Sequence, residues 1–189
     1  MCNEPVIDVH IPYEPAGQLG MAYNRAMRES AHEWVLLLDH DCIIVQPLWY
    51  DICQKAIKKL SGFKTGWISA MTNYSPSFKQ VLSGCPDSQD ITAHVQFAQR
   101  TYRYNQITAW EADSYPLAGF FILTNKSAWE AVGGFADGYY VDFDYSNRLK
   151  AHGFKQYLLP GLYCWHADLT LGRRPLKCIK PGRRYDKQQ

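Results

Sequence analysis

Trp34-Val-Leu-Leu-Leu-Asp39-His40-Asp41-Cys-Ile-Ile44 is an apolar run that stops on an acidic turn. Val35 to Leu38 have no polar break, which reads as a strand buried on both faces, as in a parallel sheet. Asp is depleted in strands, so Asp39-His40-Asp41 is expected at the strand's carboxyl end. In open α/β sheets that edge is where ligands bind. Two carboxylates there repel each other and lose hydration unless a cation joins them. Hard oxygen ligands favour Mg²⁺ or Mn²⁺. The plainer alternative is a strand ending in a solvated acidic turn, and the tripeptide alone does not choose between the two.

Outward from this stretch, strands and helices alternate. Val6 to Ile11 is β-branched and reads as a first strand, closed by Pro12, Pro15 and Gly17. Gly20 to Ser30 has Met21, Ala22, Ala26 and Met27 at helical spacing. Beyond the acidic turn, Pro47 suits the first turn of a helix. Leu48, Ile52, Ala56 and Leu60 carry that helix to Gly62. Thr65 to Met71 is a predicted strand, 72–90 a long loop, and 91–104 a weakly patterned helix. Leu117 to Thr124 is a strand and Asn125 to Val132 a short helix. Asp142 opens another helix that Gly153 stops. Gln156 to Leu159 and Leu162 to Trp165 read as closing strands. The expectation is a single α/β domain over 1–171, with a mostly parallel central sheet flanked by helices. The tail, 172–189, is basic and few of its residues are apolar, so it is expected to be mobile. It could also touch an anionic membrane surface as a peripheral contact.

Composition bounds the function. The 189 residues suffice for one domain with a true core. The net charge of +2 is too small to make nucleic acid the main partner. No apolar run approaches the length of a membrane span, and the amino end lacks the layout of a signal peptide. The six cysteines include no pair at the spacing of a zinc or redox site; Cys42, Cys53 and Cys164 lie in apolar company. A reducing cytoplasm is the expected location.

Three polar clusters follow apolar stretches: Asp39-His40-Asp41, Asp142-Phe143-Asp144, and His166. With them stand Leu19-Gly20-Met-Ala-Tyr-Asn24, Gly119-Phe-Phe-Ile-Leu123, Val132-Gly-Gly-Phe135, Val141-Asp142-Phe143-Asp144 with Arg148 and Leu149, and Trp165-His166. In order and spacing, from about residue 6 to 170, this set resembles the GT-A glycosyltransferases, most closely the family-2 group.

The resemblance implies roles. Asp41, supported by Asp39, matches the acidic motif that binds Mn²⁺ or Mg²⁺ on the diphosphate of a nucleotide-sugar. His166 matches a histidine that completes the metal shell in some relatives; a surface histidine after a strand is the alternative. Asp142 matches the catalytic base of inverting members, which takes the proton of an attacking acceptor hydroxyl. Helix capping by Asp142 and Asp144 is the structural alternative. Gly20, Asn24, His40, Gly119 and Asp144 match positions that border the donor. Tyr74, Tyr102, Tyr104 and Trp110 are candidates for the acceptor side, with core packing equally open.

The chain also departs from that pattern. The family usually has Glu before the base, where this chain has Val141. The first predicted strand leads directly into Gly20–Asn24, so about two βα units, on the order of 60 residues, are expected to be missing from a truncated GT-A fold. A homo-oligomer or partner chain would then cover the exposed edge. The leading expectation is a metal-dependent, inverting transferase moving sugar from a nucleotide-sugar to a glycan or other hydroxyl acceptor. The alternative is a degenerate or half-site transferase that binds a glycan or nucleotide. A nucleotidyltransferase ranks last, because no early Gly-rich basic phosphate loop is present.

Overall fold

The structure is a computed structural model and describes residues 4–104, 110–111, 116–138 and 140–167. The basic tail lies outside the described residues, as do the side chains of Tyr104 and Trp110.

The elements run β1 (Ile7–His10), α1 (Leu19–Glu29), β2 (Trp34–Leu38), β3 (Cys42–Ile44) and α2 (Trp49–Lys59). They continue with β4 (Thr65–Thr72), a 3-10 turn (Phe78–Gln80), α3 (Ile91–Tyr104), β5 (Trp110–Glu111) and β6 (Phe121–Asn125). Last come α4 (Lys126–Ala131), α5 (Val141–Ala151) and β7 (Lys155–His166). Most lie within a few residues of their sequence expectation. The short β3 escaped sequence reading because three residues show no period. The two expected closing strands are one strand through Pro160-Gly161. There the β4 partner shifts register between Ala70 and Met71, a bulge that absorbs the break.

Among the described residues one sheet holds all seven strands, in the order β1-β2-β6-β4-β7-β3 with β5 also on β7. The expectation of a mostly parallel sheet is corrected. Only β1–β2 and β4–β7 pair in parallel, while β2–β6, β4–β6, β3–β7 and β5–β7 are antiparallel. β2 and β6 are nonetheless buried on both faces, the pattern that suggested parallel pairing. Helices on both sides produce that pattern whichever way a neighbour runs. Through these pairings β1, β2, β4 and β7 all point the same way, with β6 inserted against them. Their carboxyl ends share one edge with the amino end of β6.

Alternation along β2 separates two cores. Leu36 and Leu38 pack with Ile52, Cys53 and Ala56 of α2. Val35 and Leu37 face Tyr23, Ala26 and Met27 of α1, Ala128 of α4, and Tyr145 and Leu149 of α5. Helices thus cover both faces of a central sheet, the three-layer α/β arrangement. A third cluster places Ala98 of α3 against Tyr163 and Trp165. Cys42, Cys53, Cys85 and Cys164 are buried. No helix among the described residues is long and apolar enough to cross a membrane.

Candidate active site

The shared strand edge gathers the acidic residues. Asp39 follows β2, and its N–H donates to the Phe120 carbonyl (3.1 Å) just before β6. Two residues on, Asp41 returns the chain into β3, where Cys42 pairs with His166 at the end of β7. The Asp41 carbonyl accepts from the Ala167 N–H (2.8 Å). Turn and strand end are therefore fixed to each other by backbone, and their side chains meet. One ligand atom from each of Asp39, Asp41 and His166 lies within 4.8 Å of the others.

The electrostatics of the three differ. Burial pushes Asp39 up to about 6; the charges of Asp41 and Asp142 add to this, while His166 and the Tyr23 hydroxyl oppose it. That hydroxyl, fully buried on α1, donates to Asp39 Oδ1 at 3.2 Å. The hydrogen bond from His166 Nε2 to Asp41 Oδ1 (3.2 Å) holds Asp41 below the usual carboxylate range, against burial. Burial alone would lower His166, but the Asp41 hydrogen bond and charge outweigh it and raise the ring.

This donor set fits a divalent cation. Two half-buried carboxylates and an imidazole converge, and the ring sits against Asp41 where a cation would balance the charge. Carboxylate oxygens with one imidazole suit Mn²⁺ and accept Mg²⁺. The other ring nitrogen, Nδ1, faces the Tyr74 carbonyl at 3.2 Å. A second contact of this kind typically orients a metal-bound histidine.

Asp142 joins the same edge from α5. Its Oδ2 accepts from the Gly119 N–H (2.8 Å) and its Oδ1 from the Phe143 N–H (2.9 Å). The bond to Gly119 reaches across 23 residues, which simple helix capping does not require. Gly119 precedes Phe120, whose carbonyl accepts from the Asp39 N–H, so one short backbone segment holds the Asp142 carboxylate and the Asp39 main chain. The Asp142 charge is felt at Asp39 and Tyr23. Burial raises Asp142 above the ordinary carboxylate range, opposed by the two N–H donors.

The other expected donor-side residues have different surroundings. A Cβ on Gly119 would lie 2.8 Å from the Asp142 Cβ, so this glycine admits the carboxylate to the backbone. On Gly20 a Cβ would lie 2.3 Å from the Ala136 carbonyl oxygen, so α1 packs tightly against that loop. Asn24 Oδ1 accepts from Trp129 Nε1 and the Phe135 N–H, and its Nδ2 donates to the Phe135 carbonyl, each at 2.8 Å. That amide clamps the Gly133-Gly134 turn, where both φ angles are positive. Asp144 Oδ2 pairs with Arg148 Nε (2.8 Å) and Nη2 (2.7 Å), one turn along α5. His40 is the exposed middle of the acidic turn, and its charge helps hold Asp41 down. Of the aromatic candidates, Tyr74 lies 6.1 Å from the His166 ring, and Tyr102 packs on the α2-side core.

Sequence reading assigned no role to Tyr23, Asn73 or Gln80. Gln80 is fully buried; its Oε1 accepts from the Ala118 N–H (2.7 Å) and its Nε2 donates to the Ala118 carbonyl (3.1 Å) and Ser69 Oγ (2.9 Å). It thereby fixes the segment carrying Gly119 and Phe120. No sequence signal marks it, since a polar residue in a long loop looks solvent-facing. A cleft of about 390 Å³ lined by Trp34, Phe63, Lys64 and Phe154 lies at the opposite sheet edge, away from the acidic group.

Three-layer packing and this acidic edge define an α/β fold with its polar residues gathered at one end of the sheet. Among solved structures, 28 chains match it. One is the mannosyltransferase PcManGT from Pyrobaculum calidifontis, solved with GDP-Man and Mn²⁺, at a TM-score of 0.51 and 20% identity. The match covers 81% of this chain and 37% of that one, so the chain spans little more than a third of its neighbour. The likeness is one of fold. No protein-family model and no curated protein matches the sequence.

Proposed function

We propose that this protein transfers a sugar from a nucleotide-sugar to a hydroxyl acceptor, with inversion, using Asp142 as the base. The observation that carries the proposal is the single backbone segment, Gly119-Phe120, that holds Asp142 on one side and Asp39 on the other. It brings an acid–base carboxylate beside a cation-ready group formed by residues over a hundred positions apart. The fold shared with a mannosyltransferase supports the same reading.

Asp39, Asp41 and His166 would hold Mn²⁺ or Mg²⁺. A cation held there would supply charge neutralisation for a departing diphosphate. Asp142 keeps acceptor capacity beyond its two N–H bonds, because each carboxylate oxygen can accept again. An acceptor hydroxyl donating to it loses its proton as the oxygen attacks the anomeric carbon. Burial raises the basicity of Asp142, which suits this task near neutral pH. Gly119 and Phe143 hold the carboxylate still, so the proton acceptor keeps its position relative to the donor.

A donor screen across UDP- and GDP-sugars with Mn²⁺, reading nucleotide release and transfer to simple glycosides, tests the proposal. Metal-dependent turnover that Asp142→Asn abolishes supports it. Turnover unchanged in that variant removes the mechanism. The second reading is a degenerate or half-site protein that binds a nucleotide or glycan without turnover. Calorimetry with nucleoside diphosphates, with and without Mn²⁺, separates the two. Metal-dependent binding with no turnover of any donor supports the second.

A further inference from the structure

The long loop after β4 begins with a contact that the proposed chemistry does not itself use. Asn73 follows Thr72, the last residue of β4, which pairs in parallel with Cys164 of β7. Beyond that point the side chain of Asn73 takes over from the strand. Its Oδ1 accepts from the His166 N–H at 2.7 Å, and its Nδ2 donates to the His166 carbonyl at 3.1 Å. One amide thus satisfies both backbone groups of His166, as a neighbouring strand would. β3 borders His166 on the other side through Cys42.

The next residue controls the ring. The Tyr74 carbonyl faces Nδ1 at 3.2 Å, and the Tyr74 and Phe120 rings lie 6.1 and 5.9 Å from the imidazole. With Nδ1 turned to that carbonyl, Nε2 is left facing Asp41. The segment making these contacts is itself anchored. Leu82 N–H donates to the Thr72 carbonyl (2.9 Å), Val81 bridges to Thr72, and Cys85 Sγ donates to the Asn73 carbonyl (3.8 Å).

From this geometry we infer that Asn73 is a positioning residue for metal binding: it fixes the His166 backbone so that Nε2 completes the cation site with Asp39 and Asp41. The inference rests on the proposed metal site. Without the clamp, the end of β7 keeps only its β3 side, through Cys42 and the Asp41–Ala167 bond, and the imidazole can turn away from the two carboxylates. Loss of a group that orients a ligand in this way typically weakens metal affinity about 10–100-fold.

The test uses the full chain and Mn²⁺ alone. Titration followed by electron paramagnetic resonance gives the affinity, and electron spin-echo modulation reports whether a histidine nitrogen is bound to the Mn²⁺. The unaltered chain is expected to bind Mn²⁺ with nitrogen coupling. Asn73→Ala is expected to bind about 10–100-fold more weakly, with the coupling lost or reduced and the remaining affinity coming from carboxylates. A merely structural role would lower the melting temperature and leave the coupling in place. Asn73→Ser, which keeps a smaller hydrogen-bonding group, carries the same expectation if the alanine variant does not fold. Unaltered affinity and coupling in a folded variant overturn this inference alone. Failure of the unaltered chain to bind Mn²⁺ overturns the metal site and this inference with it.

Discussion

Asp39→Asn separates the cost of the acidic group from its use. Asp39 stands at about 6 in the folded protein, against an ordinary 3.8. A raised carboxyl contributes stability that is full below the unfolded value and lost as pH rises through the folded one. Between about pH 4 and 6 the metal-free protein therefore loses on the order of 3 kcal/mol from this residue, at 1.36 kcal/mol per unit. Asn removes the charge and keeps an oxygen for the Tyr23 hydroxyl. Near neutral pH, with metal chelated, Asp39→Asn should melt above the unaltered protein. At roughly 2–4 °C per kcal/mol for a chain of this size, the gain is at most about 6–12 °C. Below about pH 4 the gain should vanish. Mn²⁺ offsets most of that gain. At a hundredfold excess over its dissociation constant it stabilises the unaltered chain by about 2.7 kcal/mol, and it should stabilise the variant far less. Thermal unfolding followed by circular dichroism, in EDTA and in Mn²⁺ at two pH values, reads all of this. A variant that melts at or below the unaltered chain in EDTA, or that keeps the full Mn²⁺ shift, refutes the reasoning.

Three further outcomes are expected. Asp142→Asn should lower transfer about 10²–10⁴-fold while the Mn²⁺-induced rise in melting temperature persists, because the base lies outside the ligand set. Gly119→Ala should also reduce turnover, since its Cβ would lie 2.8 Å from that of Asp142 and one of the two must move; unchanged kinetics would show that the Asp142–Gly119 contact is dispensable. Asn24→Ala should cost about 1–3 kcal/mol in urea unfolding by orphaning the groups it joins across α1 and the 129–135 loop. If its main effect is instead a raised KM for the donor at unchanged stability, Asn24 borders the nucleotide after all.

The hydrophobic pattern of the sequence determined the elements and their faces. Val35 to Leu38 announced a doubly buried strand ending at Asp39, and the spacing Leu48, Ile52, Ala56 predicted the helix that covers one of its sides. Those patterns come from burial, and burial is indifferent to strand direction. Only the tertiary structure decided that β6 runs against β2 and β4. The acidic residues still converge because β2 and β7 point the same way and β6 begins where they end. Convergence is likewise a property of the fold: Asp41 and His166 are 125 positions apart and meet through the β3–β7 pairing, which three residues could not announce. The roles of Asn24, Asn73 and Gln80 were invisible for the same reason. An amide bonded to distant backbone leaves no period in its own segment, so its partners exist only once the chain has folded.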